Sequence, residues 1–483
     1  MNREFFINVF FLIFVNLLIK PFYIFGIDRT VQNTVAPGDY GIYFALFNFT
    51  FLFQIINDFG IQNFNNRNIA QYNQLLDKYF PNILVLKFLL AGLYMVLVLG
   101  TAYLSGYEVD YFHLLTFIAI NQILLSLLLF LRTNISGLGL YRTDSLISVL
   151  EKLVLILICG VLLWVEPFRS GFKIEWFVYA QTSSLFLTAL TAFLIVKNRI
   201  KKLRFKFNPA FLLLILKKSY PYALVIFLMT VYSRIDGVMI ERMLPNGKLE
   251  ADIYASAFRL LDASNMIGFL FAGLLLPMFS RLIKEKAAIH PLVNLSFRFI
   301  WAGAISLAAA TFFFQEEIMQ ALYVDGNAYS GQILGLLILS FIAISASYIY
   351  GTLLTANGNL RLLNLISVGG VVLNVIINLV LIPQYKAYGA AIATLVTQSL
   401  VTAGHIIVAH KTLRLPFQPK LILRLSIFIL LTFSIAFSLY YQFEIRWFIR
   451  FLLSFSIGLL LAFIFKLIDL NLLLKFLRNN QAL

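Results

Sequence analysis

Pro81-Asn-Ile-Leu-Val-Leu-Lys-Phe-Leu-Leu-Ala-Gly-Leu-Tyr-Met-Val-Leu-Val-Leu-Gly-Thr-Ala-Tyr103 sets twenty-three residues in a row with a single charge, Lys87. As a helix rising 1.5 Å per residue this run is about 35 Å long. That exceeds a hydrocarbon core of about 30 Å. Runs of the same kind recur outward from it, at roughly 5–26, 40–58, 111–131, 144–165, 174–196, 219–240, 253–280, 293–314, 329–354, 361–382, 387–409, 421–441 and 447–468. A bilayer offers nothing to an unpaired peptide group, so backbone crosses it only as helix or closed barrel. The sequence therefore predicts an all-α polytopic membrane protein of about fourteen transmembrane helices.

Composition agrees. Hydrophobic residues make up 61% of the chain and charged residues 12%, with a mean hydropathy of +0.87. Soluble domains carry about 25% charge, and the 483 residues leave no room for one beside so many spans. The net charge of +16 does not point to nucleic acid, because the basic residues gather at span ends rather than on one amphipathic face. The densest basic segment, Lys197-Asn-Arg-Ile-Lys-Lys-Leu-Arg-Phe-Lys206, falls on the side opposite the acidic Glu108-Val-Asp110 and Gln315-Glu-Glu317. This asymmetry predicts both termini in the cytoplasm. The first run is too long for a signal-peptide core and is read as a retained helix. The segment Pro209–Lys218 is expected to lie along the inner membrane surface as an amphipathic helix. Tyr40 and Tyr43 are expected in an interfacial aromatic belt.

Two halves of the chain match at an offset of about 211 to 219 residues. Ile42-Tyr43 pairs with Ile253-Tyr254, and Phe64-Asn-Asn-Arg67 with Phe279-Ser-Arg281. Gly139-Leu-Tyr-Arg142 pairs with Gly358-Asn-Leu-Arg361, in the same order. An even number of spans per repeat makes the halves parallel. The expected organisation is a six-helix lobe over 1–205, a second pseudo-symmetric six-helix lobe over 206–415, and two further helices with a cytoplasmic tail over 416–483.

Charges inside spans cost about 2.5–3.5 kcal/mol each near the helix centre, so each needs a reason. Lys20, Arg234 and Arg259 fall in the outer half at similar depth, with Asp236 and Asp262 available to offset two of them. Arg234 with Asp262 and Asp236 with Arg259 could form buried salt bridges. Three cations against two carboxylates also fit a cavity that receives an anionic head group. Lys87, Glu151 and Lys152 lie nearer the cytoplasmic face, where a Lys87–Glu151 pair is the plainer reading and Lys152 either snorkels or faces the cavity. Among the buried amides, Asn16, Asn48 and Asn265 share spans with the cations or match those that bear them. No catalytic group, cofactor or metal site is expected: Cys159 stands alone, the four histidines are scattered, and there is no phosphate loop.

A family resemblance rests on Val35-Ala-Pro-Gly-Asp-Tyr-Gly-Ile-Tyr43, on Asn57-Asp-Phe-Gly-Ile61 with Asn66-Arg67, and on Ser233-Arg-Ile-Asp236. Ile253-Tyr-Ala-Ser-Ala-Phe-Arg-Leu-Leu-Asp262 and Tyr388-Gly-Ala-Ala-Ile-Ala-Thr394 add to it. Over nearly its whole length the chain resembles bacterial oligosaccharide flippases of the multidrug/oligosaccharidyl-lipid/polysaccharide exporter superfamily. The resemblance implies a V-shaped carrier whose spans one, two, seven and eight line a cationic cavity. It implies alternating-access transfer of undecaprenyl-diphosphate-linked repeat units from the cytoplasmic to the periplasmic leaflet of the bacterial inner membrane, serving lipopolysaccharide O-antigen or capsule. Lys20, Arg234 and Arg259 would hold the diphosphate, while Asp236, Asp262, Glu151 and Lys152 would couple or pair charge. Expected partners are the lipid-linked oligosaccharide, membrane lipids, polysaccharide-assembly proteins, and Na+ or H+ as coupling ion. A lipid II flippase or a cation-coupled multidrug exporter is the alternative within carriers. A glycan polymerase or ligase is the alternative among enzymes, and the lack of a large external loop counts against it.

Overall fold

The computed structural model describes residues 19, 21–62, 65, 69, 76–200, 209–443 and 445–468. Among these there are helices and turns and no strand. The chain divides into two compact units, Asn2–Glu241 and Arg242–Leu483. Among the described residues eleven helices are long and apolar enough to cross a membrane, and the chain is a multi-pass membrane protein. Large apolar side chains such as Phe88, Leu157, Leu365 and Leu430 stand exposed on their helices, as lipid contact requires and water would not favour.

In the first unit a π-helical turn, Tyr23–Asp28, runs straight into α1, Arg29–Thr34. The second expected span is divided into α2, Asp39–Leu52, and α3, Gln54–Asp58, at Phe53, which keeps right-handed dihedrals (φ −88°, ψ −1°) while its N–H bonds the Thr50 carbonyl three residues back. Phe59 and Gly60, both with positive φ, then end it. α4 (Leu76–Leu104), α5 (Tyr111–Gly137), α6 (Tyr141–Trp164) and α7 (Ile174–Lys197) follow. Phe80 of α4 stacks on Phe130 of α5 with centroids 5.5 Å apart, in a core with Ile83, Leu131, Ile147 and Ala192. α8, Pro209–Met243, is continuous through its 35 residues. The expected surface helix at Pro209–Lys218 is thus the first part of one rod, about 52 Å long and longer than the hydrocarbon is thick.

The second unit holds α9 (Gly247–Lys284), α10 (His290–Phe313), the short α11 (Gln315–Leu322) and α12 (Ala328–Ala356), then α13 (Leu360–Leu413), α14 (Pro419–Gln442) and α15 (Trp447–Ile464). α13 contains two expected spans. Its backbone leaves helical geometry at Lys386 (φ 54°, ψ −135°), three residues after Pro383. A Cβ on Gly389 would sit 2.5 Å from the Leu381 carbonyl oxygen, a closeness that a straight helix eight residues on would not allow. The chain doubles back here. α14 and α15 pack on α10 through Phe428, Ala302, Ile305 and Ala462. Gly458 there abuts Ser306, whose Oγ lies 2.7 Å from where a Cβ would stand.

Two of the three matched pairs of segments adopt matching local structure; of the third, Phe64, Asn66 and Arg67 lie outside the described residues. Gly139 (φ 79°) and Gly358 (φ 78°) each end a helix in the left-handed region. In both, the glycine N–H bonds the carbonyl three residues back, and the next N–H bonds the one five back, which is the pairing that satisfies a helix's last carbonyls. Tyr43 and Tyr254 are both buried. Tyr43 Oη accepts from Gln181 Nε2 at 2.9 Å, and Tyr254 Oη lies 3.2 Å from Thr394 Oγ1. Tyr40 and Tyr43 are therefore interior pins and not members of an aromatic belt.

Candidate functional site

Arg234 lies nine residues before the end of α8, about 13 Å along the helix axis. It is half-buried, and its guanidinium sits 5.5 Å from the centroid of the Phe51 ring of α2. One turn further on, Gly237 faces α2 so closely that a Cβ would meet the Phe44 ring at 2.7 Å and Asn48 Nδ2 at 2.8 Å. Only glycine lets the two helices approach this far. Spacings of three residues put Arg234 and Gly237 on one face of α8, and Asn48 and Phe51 on the facing side of α2. Asn48 is buried, and its Oδ1 has no hydrogen-bond partner among the described residues. Asp236, between Arg234 and Gly237 in register, is buried as well. The arrangement offers a cation oriented by an aromatic face, beside an amide oxygen ready to accept a donor.

In the second unit α9 carries Arg259, Asp262 and Asn265 at three-residue spacing, which holds them to one side of the helix. All three are half-buried, and Asn265 Oδ1 also lacks a hydrogen-bond partner among the described residues. Arg259 is twelve residues in from Gly247, about 18 Å along the axis. The first turns of α9 are fixed by Tyr254 and by Tyr323 Oη, which donates to the Ser256 carbonyl at 3.2 Å.

Lys152 does not stand alone. Its ammonium lies 2.8 Å from Glu151 Oε1 and 4.4 Å from the centroid of Tyr23, in the π-helical turn. The expected Lys87–Glu151 pair is not formed. Lys87 is buried and bonds Asp58 Oδ1 at 2.6 Å and Ser126 Oγ at 2.7 Å, with the Asn57 carbonyl at 3.2 Å. The ion pair crosses from α4 to the end of α3 because the break at Phe59 turns Asp58 towards α4. Lys20 and Asn16 lie outside the described residues.

A second cluster had no signal in span-based reading, since Glu250 and Lys386 fall between expected spans and Tyr329 at the first residue of one. Glu250 of α9, 6% exposed, accepts from Tyr329 Oη at 2.9 Å and pairs with Lys386 Nζ at 3.0 Å. It joins the start of α9, the start of α12 and the reversal in α13. Among the described residues no group of three His, Cys, Asp or Glu side chains could hold a metal ion.

Long apolar helices, with buried charge and unfilled amide acceptors among them, mark the class: a helical multi-pass membrane protein. The chain belongs to the polysaccharide biosynthesis protein family, whose model matches residues 6–283. Its fold is similar to that of the lipid II flippase MurJ in an inward closed conformation, with TM-score 0.68 and 16% identity over 96% of this chain and 98% of that one. It is similar also to an inward-facing multidrug resistance MATE family transporter of the MOP superfamily, with TM-score 0.63 and 13% identity over 82% and 97%. The Vibrio cholerae MATE transporter VcmN in the bent form gives TM-score 0.55 and 15% identity over 84% and 95%. At these identities the likeness carries the fold alone. No curated protein sequence matches the chain.

Proposed function

We propose that the chain is a flippase for lipid-linked oligosaccharide, moving undecaprenyl-diphosphate-linked repeat units from the cytoplasmic to the periplasmic leaflet for O-antigen or capsule. It works by alternating access in the bacterial inner membrane, with both termini cytoplasmic, and performs no covalent chemistry. The observation that carries this reading is Arg234: a half-buried guanidinium well inside a membrane helix, held against Phe51 one turn from the unfilled acceptor of Asn48. A diphosphate supplies the anion such a cation wants, and sugar hydroxyls supply the donors the amide wants. Membership of a polysaccharide biosynthesis family supports the same cargo.

In this account Lys20, Arg234 and Arg259 engage the diphosphate. Asn16, Asn48 and Asn265 meet the first sugars, and Asp236, Asp262, Glu151 and Lys152 balance charge or bind the coupling Na+ or H+. Arg234→Ala and Arg259→Ala should each abolish surface polysaccharide while membrane insertion is retained; normal polysaccharide in both variants would remove these residues from the site. Lipid II is the second cargo to test, because the MurJ likeness spans 96% of this chain. A cationic drug is disfavoured, since three intramembrane cations would repel it.

A further inference from the structure

Lys87 is held like a metal ion. Its ammonium has three hydrogens, and three oxygens of different kinds take them: the Asp58 carboxylate at 2.6 Å, the Ser126 hydroxyl at 2.7 Å and the Asn57 carbonyl at 3.2 Å. The oxygens come from two elements other than its own, α3 and α5. The Asn57 carbonyl is available because the helix stops at Asp58, which leaves the last carbonyls of α3 without intrahelical donors. Ser126 Oγ donates to that same carbonyl at 3.0 Å, so its lone pairs point to Lys87. Asn57 Nδ2 donates to the Gln122 carbonyl at 3.0 Å and locks the cradle to α5. Lys87 is 4% exposed and Asp58 17%. Carboxylate, hydroxyl and helix-end carbonyl are the hard oxygen donors that proteins use for hard metal cations.

We propose that Asp58, Ser126 and the Asn57 carbonyl form an alkali-cation site within the first unit, permanently occupied by the tethered ammonium of Lys87. The inference stands apart from the cargo. Its consequence for any ion-coupled cycle is that this site exchanges nothing with the bulk, so a coupling ion must bind elsewhere. Shortening Lys87 vacates the cradle and leaves a half-buried carboxylate in want of a free cation.

The test uses the purified full-length chain in nanodiscs, melted in NaCl, KCl or choline chloride at equal ionic strength, with binding of radioactive Na+ read in parallel. Wild type should melt alike in all three and bind no Na+ at this site. Lys87→Ala should melt several degrees lower in choline and recover at least half of the loss in Na+ or K+, saturably, with Na+ bound if Na+ is the rescuing ion. Adding Asp58→Asn to Lys87→Ala should erase the cation response. Equal destabilisation of Lys87→Ala in all three salts would overturn the proposal. So would failure of Lys87→Ala to accumulate in cells, with or without accumulation of the double variant, because cells supply both cations.

Discussion

Gly237 is the residue on which the α2–α8 contact turns. A methyl there would overlap the Phe44 ring and the Asn48 amide. Overpacking of this kind costs about 1–3 kcal/mol, so Gly237→Ala should lower the melting temperature and also depress transport by displacing Asn48. An unchanged melting curve would show that the helices sit further apart. Phe51 acts on Arg234 through its ring face. A cation–π contact is worth about 0.5–2 kcal/mol, so Phe51→Leu should slow flipping between about 2- and 30-fold while Phe51→Trp keeps the rate. Equal rates for the two variants would argue against the ring's role. At this scale the sequence was partly legible. Depth in a span flagged Arg234 and Arg259, because an intramembrane charge is costly wherever it points. Partners were not legible. Depth alone matches Lys87 to Glu151, whereas Asp58 closes the expected span 40–58 and carries no sign in the sequence of facing Lys87. The tightened turn at Phe53 and the left-handed Phe59 are features that the periodicity did not reveal.

Among the elements, α13 is the clearest case of hydropathy locating mass while local geometry decides direction. Two expected spans were separated correctly near Pro383, yet the reversal rests on Lys386 in a conformation that a residue with a Cβ seldom adopts. The Glu250 cluster steadies that reversal. Lys386 is largely exposed, so its ion pair contributes about 0–1 kcal/mol. Tyr329 donates to a buried carboxylate oxygen, and removing a donor from a buried acceptor costs about 1–3 kcal/mol. Tyr329→Phe should therefore destabilise more than Lys386→Ala in thermal melts, and the opposite order would mean that the ion pair, not the hydroxyl, secures the turn. α8 shows the reverse case. Its amphipathic start suggested a separate surface helix, but Pro209–Met243 is one helix, continued across Pro221 although that residue has no N–H to give to the ladder.

For the whole molecule, two of the matched segments of the expected repeat fall where geometry is demanding. Gly139 and Gly358 terminate helices at positive φ, and Tyr43 and Tyr254 are interior pins with polar partners on later helices of their own units. Scattered Leu and Ile matches could not have carried that weight. Helical class and multi-pass character followed from hydropathy alone, since a bilayer permits so few alternatives. Cargo does not follow from fold, because flippases of lipid II and exporters of drugs share this architecture. It has to be read from the chemistry of the cations. The measurement closest to that question is head-group accessibility in liposomes carrying the purified chain and fluorescent undecaprenyl-diphosphate oligosaccharide, with lipid II and a neutral lipid-linked sugar in parallel. The account predicts that inner-leaflet oligosaccharide becomes accessible outside with wild type, stays protected with Arg234→Ala, and that the neutral lipid stays protected throughout. Equal transfer of the neutral and diphosphate lipids, or full activity in Arg234→Ala, would contradict it.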